Sequence, residues 1–110
     1  MDNNFDVDVS DGDRAVVIGV SGELDLASSP ALEQELDNPA TSAAEVVIID
    51  LRQVEFMDST GLSVLVRGHT RAAEKGQRFV VVRGPQQVQR LLSLTGVADR
   101  LTLVDSPEEA

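Results

Sequence analysis

Val46-Val47-Ile48-Ile49-Asp50-Leu51 leads, a few residues on, into Val54-Glu55-Phe56-Met57-Asp58-Ser59-Thr60-Gly61-Leu62, and this junction decides the fold. The first run is apolar except for Asp50, which predicts a buried strand. Beyond Asp58 the period changes. Leu62, Leu65, Val66, His69 and Ala73 fall at helical spacing on one face, with Arg67, Thr70, Arg71, Glu74 and Lys75 on the other. A helix is therefore expected from Ser59 or Thr60 to Gly76, a natural stop residue. Phe79 to Val82 reads as the next buried strand. Two strands joined by so long a helical crossover are parallel neighbours in one sheet.

The same alternation extends both ways. Upstream, Phe5, Val7 and Val9 alternate with Asp6 and Asp8, the period of a strand with one wet face. Ser10-Asp11-Gly12-Asp13 is a hairpin turn signal, and Ala15 to Val20 reads as a strand buried on both faces. Ser29-Pro30 looks like a helix cap followed by a first helical position. Ala31, Leu32 and Leu36 mark the apolar face of a short helix ending near Asn38-Pro39, and Ala40 to Glu45 reads as a small-residue connection. Downstream, Gly84-Pro85 opens a helix carrying Val88, Leu91, Leu92 and Thr95 on one face and stopped by Gly96. Leu101 to Val104 is a last strand, and Ser106-Pro107-Glu108-Glu109 starts a helix that the chain barely continues. The predicted fold is one α/β domain over residues 1–110. It has a mixed, mostly parallel sheet, an antiparallel N-terminal hairpin at or near an edge, and helices packed on the sheet.

Composition excludes more than it proposes. The 110 residues carry 19 acids against 9 bases, a net charge of −10. So acidic a surface repels phosphate backbones and anionic headgroups, so direct contact with nucleic acid or membrane surfaces is not expected. Three Phe and no Trp or Tyr leave no stacking platform for bases. With no Cys there is no disulfide or thiolate metal site, which fits a reducing compartment such as the cytoplasm. Met1 to Ser10 has no apolar run of the kind a signal peptide needs, and no stretch approaches the ~18 apolar residues of a membrane helix.

The search for catalytic machinery returns little. There is no phosphate-binding glycine loop and no nucleophile elbow, and a single His supplies no triad or zinc site. Asp6, Asp8, Ser10, Asp11 and Gly12 have the acidity of a calcium loop, but the Gly falls one place late and Val17 stands where a closing Glu belongs. His69 reads as a histidine at the edge of the core. No cofactor or metal is expected, and the chain does not read as an enzyme.

Two polar clusters remain, both at carboxyl ends of strands, where open α/β sheets gather their ligands. One is Ser21-Gly22-Glu23-Leu24-Asp25; the other is Asp58-Ser59-Thr60-Gly61-Leu62. Asp58, Ser59 and Thr60 all make good caps, and capping alone accounts for one of them. Three in succession exceed that need. Gly61 costs up to ~1 kcal/mol in a helix interior, which invites a reason such as close approach of another chain. A hydroxyl here also lies where a helix dipole and free N–H groups favour an anion. If the two strands are neighbours, Asp25 approaches Asp58 and Ser59.

Gly22-Glu23-Leu24-Asp25, Ile49-Asp50-Leu51, Phe56-Met57-Asp58-Ser59-Thr60-Gly61-Leu62 and Leu91-x-x-x-Thr95-Gly96, in this order, resemble the STAS domain in its bacterial anti-sigma factor antagonist branch. The resemblance covers nearly the whole chain, and Asp-Ser-Thr-Gly-Leu is its most specific part. It implies that Ser59 is phosphorylated by an anti-sigma factor that is itself a serine kinase. The unphosphorylated form then binds that kinase and frees a sigma factor, and a metal-dependent serine phosphatase resets the switch. Asp25 and Asp58 match acidic positions beside the phosphorylated serine. Together with Ser59, Thr60, Gly61 and Leu62 they form the expected partner-binding surface. The resemblance implies a full C-terminal helix, whereas this sequence stops at Ala110 with only its start, so one flank is expected to be more open.

Two rival functions fit parts of the pattern. One is a constitutive STAS scaffold in a transporter-associated or stress-sensing complex, with Ser59 a mere cap. The other is a two-component receiver, which requires an acidic pair, a phosphoacceptor Asp and a late Lys. The single Lys here is Lys75, in a mid-chain helix, and Asp50 lacks its supporting set.

Overall fold

The computed structural model describes residues 5–12 and 14–110. Five strands form one sheet in the order β1-β2-β3-β4-β5. They are β1 (Phe5–Asp11), β2 (Ala15–Leu24), β3 (Val46–Met57), β4 (Arg78–Val82) and β5 (Thr102–Val104). The first pair is antiparallel, Phe5 opposite Gly22 and Asp11 opposite Val16, and the other pairs are parallel. The helices are α1 (Ser29–Asp37), α2 (Pro39–Ala43), α3 (Ser59–Lys75) and α4 (Gln86–Leu94). Of the expected hairpin turn, Asp13 lies outside the described residues, as do residues 1–4 of the acidic start. Gly12 N–H donates to Ala15 O at 2.8 Å and closes the turn's base.

Strand order and crossover chirality explain where the core sits. From β2 to β5 every parallel connection steps the same way along the sheet. Right-handed crossovers then put all the intervening helices on one face. Leu32 and Leu36 of α1, Leu62, Leu65 and Ala72 of α3, and Val88 and Leu92 of α4 accordingly share one cluster with Ile18, Val20, Val47, Ile49, Leu51 and Val81 of the strands. The opposite face holds a smaller cluster of Ile48, Val80 and Val82, with Val17, Val104 and Ala110 against it.

That asymmetry corrects the reading of Ala15 to Val20. The run is apolar throughout, yet burial alternates along β2, fully buried at Val16, Ile18 and Val20 and partial between them. A second helical layer would be needed to cover both faces.

Three boundaries also differ from expectation. The residue at the α1 N-cap is Ser28, one place before the expected Ser29. Pro39–Ala43 in the expected small-residue connection forms the short helix α2, capped by Asn38, whose side chain accepts from Ala40 N–H at 3.0 Å. The tail closes as a short 3-10 turn, Pro107–Glu109.

The buried stripe of α3 is also rotated from the predicted one. It runs through Gly61, Leu62, Val64, Leu65, Gly68 and Ala72; Val66 and His69 are half-buried and Ala73 is exposed. Hydrophobicity counting missed the glycines, which mark the lines of closest packing. A Cβ on Gly68 would stand 2.9 Å from the Phe79 ring. His69 lies at the core edge, as expected, its ring centroid 6.2 Å from that of Phe79 in an edge-to-face contact.

Candidate functional site

The two polar clusters meet at one end of the sheet. β2 and β3 pair in parallel up to Leu24 opposite Met57, so Asp25 and Asp58 leave adjacent strands side by side. The two chains are also stitched beyond the ladder, because Asp58 N–H donates to Leu24 O at 3.2 Å. Gly22 makes this possible. The register slips between Gly22 and Glu23, and Gly22 has φ 87°, a conformation that suits glycine. The slip keeps Leu24 fully buried while its carbonyl faces Asp58.

Of the three cap-type residues in succession, one caps. Asp58, in extended backbone conformation, is the N-cap of α3, and its Oδ1 accepts from Thr60 N–H at 2.9 Å and Gly61 N–H at 3.3 Å. Ser59 is therefore the first helical residue, exposed, and its hydroxyl makes no hydrogen bond within the described residues. Leu62 N–H bonds to Asp58 O at 3.2 Å. Asp58 thus takes up the N–H groups of Thr60, Gly61 and Leu62, three of the first-turn groups expected to be free for an anion.

The reason for Gly61 also differs from the one expected. A Cβ at this position would stand 2.9 Å from both Leu24 Cγ and Leu24 O, and 3.0 Å from Met57 Cγ. The close approach is to this chain's own β2, so the glycine sets helix-to-strand spacing. Leu62, expected at the partner surface, is buried in the core, and Gly61 is buried beneath the first turn. Thr60 is half-buried. Ser59 is thus the exposed member of Ser59-Thr60-Gly61-Leu62.

Asp25 organises its own turn. Its Oδ1 accepts from Ala27 N–H, Ser28 N–H and Ser28 Oγ, each at 3.1 Å. Ser28 Oγ also lies 2.7 Å from Glu23 O and accepts from Asp25 N–H at 2.9 Å. The loop between β2 and α1 is consequently cross-tied through one carboxylate and one hydroxyl.

Sequence reasoning missed two apolar side chains at this end. Leu26, in that loop, is 73% exposed, and Phe56, which pairs in register with Glu23, is 50% exposed. Phe56 reads as core by residue type, and only the irregular end of β3 turns it outward. The electrostatic setting is one-signed. Residues 20–30 and 53–63 contain Glu23, Asp25, Glu55 and Asp58 and no Lys or Arg. The nearest Arg on α3, Arg67, is taken up by Glu33 of α1 at 2.6 Å.

Asp50, the polar break in β3, lies on the sheet face away from the helices. Arg52 binds it through Nε at 3.0 Å and Nη2 at 2.8 Å. Partial burial pushes the Asp50 carboxyl up, but the hydrogen bonds from Arg52 outweigh it and hold it below the ordinary carboxylate range. Paired so and set back from the strand ends, Asp50 has no receiver-like acidic site around it. The sequential strand order also differs from the 2-1-3-4-5 order of receivers. Among the described residues no group of His, Asp and Glu side chains could hold a metal ion. Among the described residues no helix is long and apolar enough to cross a membrane.

Fold and junction together define a class: a one-layer-backed sheet that displays a serine at the first turn of its central helix, over an acidic rim. The chain belongs to the STAS domain family, whose model matches residues 4–110. Among its relatives, an anti-sigma-B factor antagonist of Bacillus subtilis is 31% identical over 96 residues, 87% of each chain. One from Staphylococcus aureus is 27% identical over 106 residues, 96% of this chain and 97% of the relative. The crystal structure of an anti-sigma factor antagonist from Mycobacterium paratuberculosis superposes with a TM-score of 0.86. It has 31% identity and covers 96% of this chain and 89% of that one.

Proposed function

We propose that this protein is an anti-sigma factor antagonist switched by phosphorylation of Ser59. Unphosphorylated, it binds an anti-sigma factor that is also a serine kinase and so releases a sigma factor. Phosphorylated, it lets go, and a metal-dependent serine phosphatase restores it. The observation that carries this reading is Ser59 itself: exposed, unbonded, and held at a rigid helix start by a neighbour that does the capping.

The mechanism is electrostatic exclusion. Phosphorylation adds about −1.5 to −2 charges. Ser59 is flanked by Glu23, Asp25, Glu55 and Asp58, and the N–H groups of Thr60, Gly61 and Leu62 are already bonded to Asp58. Three N–H groups of this chain's own first turn are thus closed to the phosphate, which projects into the docking surface. Like charge placed in an interface costs several kcal/mol, and every 1.4 kcal/mol is tenfold in affinity. Metal and base for phosphoryl transfer belong to the kinase, so the protein is the substrate of that chemistry. The cytoplasm, where kinase, ATP and sigma factor meet, is the expected site of action.

The test is affinity for the kinase, by calorimetry, of wild type and Ser59→Asp. A loss of at least tenfold is expected for the variant. Unchanged affinity would refute the exclusion mechanism.

A further inference from the structure

Of the exposed large apolar side chains among the described residues, Leu26 and Leu94 are the most exposed, at 73% and 77%, and they lie at opposite ends of the molecule. α4 starts at the Ser59 end, where Gln87 Nε2 donates to Glu55 O at 3.1 Å, and the helix carries Leu94 about 10 Å further along its axis. Leu26 occupies the tip of the turn that Asp25 and Ser28 tie together. An apolar side chain in water on a loop normally sits on flexible backbone. Here the N–H groups of both Ala27 and Ser28 are fixed to one carboxylate oxygen, and Ser29 N–H is fixed to Asp25 O at 2.8 Å. The same turn is joined to the Ser59 helix through Leu24 O and Asp58 N–H.

We propose that Leu26 is the apolar anchor by which the unphosphorylated protein seats on its kinase, and so a determinant of which kinase it recognises. The inference rests on the reading of Ser59 as a partner switch and adds the residue that supplies attraction where the serine supplies control. A side chain presented on a pre-tied turn loses little conformational freedom on binding, which favours affinity. The surrounding acids define the partner's chemistry. Glu23, Asp25 and Asp58 rim the turn with no cation in residues 20–30 or 53–63. The matching surface on the kinase is thus an apolar pocket for one leucine, edged by Arg or Lys. Exclusion of a phosphate on Ser59 requires that these cations face Glu23 and Asp25 and leave the serine itself without a counter-charge.

Calorimetry against the kinase tests this, with ADP in place of ATP so that no phosphate is transferred while binding is read. Leu26→Ala is compared with wild type and with Leu94→Ala, an equally exposed leucine at the far end. Thermal melts establish that both variants keep the fold. The expected result is at least a tenfold loss for Leu26→Ala and less than a twofold change for Leu94→Ala. Affinity within twofold of wild type for Leu26→Ala overturns the anchor, as does an equal loss in both variants. A wild-type chain that fails to bind the kinase overturns the underlying reading of Ser59 and the anchor with it.

Discussion

Gly61→Ala tests the claim that the position of the Ser59 helix is fixed by contact with β2. On propensity alone the substitution should stabilise, since Gly is up to ~1 kcal/mol worse than Ala in a helix. The new methyl, however, would stand 2.9 Å from Leu24 O and Leu24 Cγ and 3.0 Å from Met57 Cγ. The side-chain contacts can relax, but Leu24 O is backbone and accepts from Asp58 N–H, so α3 itself must move away. Overpacking of this kind costs about 1–3 kcal/mol. Set against a propensity gain of up to ~1 kcal/mol, the net loss is centred on about 1 kcal/mol, a fall of about 4 °C in a domain of this size. Urea unfolding followed by circular dichroism measures it, with Ser63→Ala as control. Ser63, two residues further along α3, is exposed, and Ala there should be neutral or slightly stabilising. Gly61→Ala as stable as wild type, or more so, would refute the argument that spacing rather than function requires this glycine.

Asp25→Ala removes the acceptor for Ala27 N–H, Ser28 N–H and Ser28 Oγ and should lower stability by about 1–2 kcal/mol in urea melts, whereas Asp25→Asn, whose Oδ1 can accept the same bonds, should fall by less than about half of that. Asp50 is held below its unfolded pKa of about 3.9 by Arg52, so its contribution is present above that value and is lost as pH falls through the folded value. Asp50→Asn should therefore be less stable than wild type at pH 7, and a pH series of thermal melts should see the gap close below about pH 4.

The sequence carried the strand–helix alternation and the junction at Ser59 because both rest on local pattern: the apolar run of Val46 to Leu51, the change of period at Asp58, and the stop at Gly76. What it did not carry depends on distant parts of the chain. That β2 is covered on one face only follows from the strand order, which sets all helices on one side. The rotation of α3 toward Gly61 and Gly68 is set by Leu24 and Phe79, remote in sequence. The division of labour at residues 58–60 was hidden for a similar reason. Asp, Ser and Thr cap alike, and only the extended backbone at Asp58, tied to Leu24, selects the aspartate and leaves the serine free. Leu26 gave no signal, because outward apolar residues break no local rule.

The central claim is that Ser59 is the phosphoacceptor. The most direct measurement is incubation of the protein with its cognate anti-sigma factor kinase and ATP, followed by mass spectrometry of the intact chain and its peptides. One phosphate, on Ser59, and none on Ser59→Ala is the result the account predicts. Phosphate incorporated undiminished into Ser59→Ala, or found at another residue of the wild type, would contradict it.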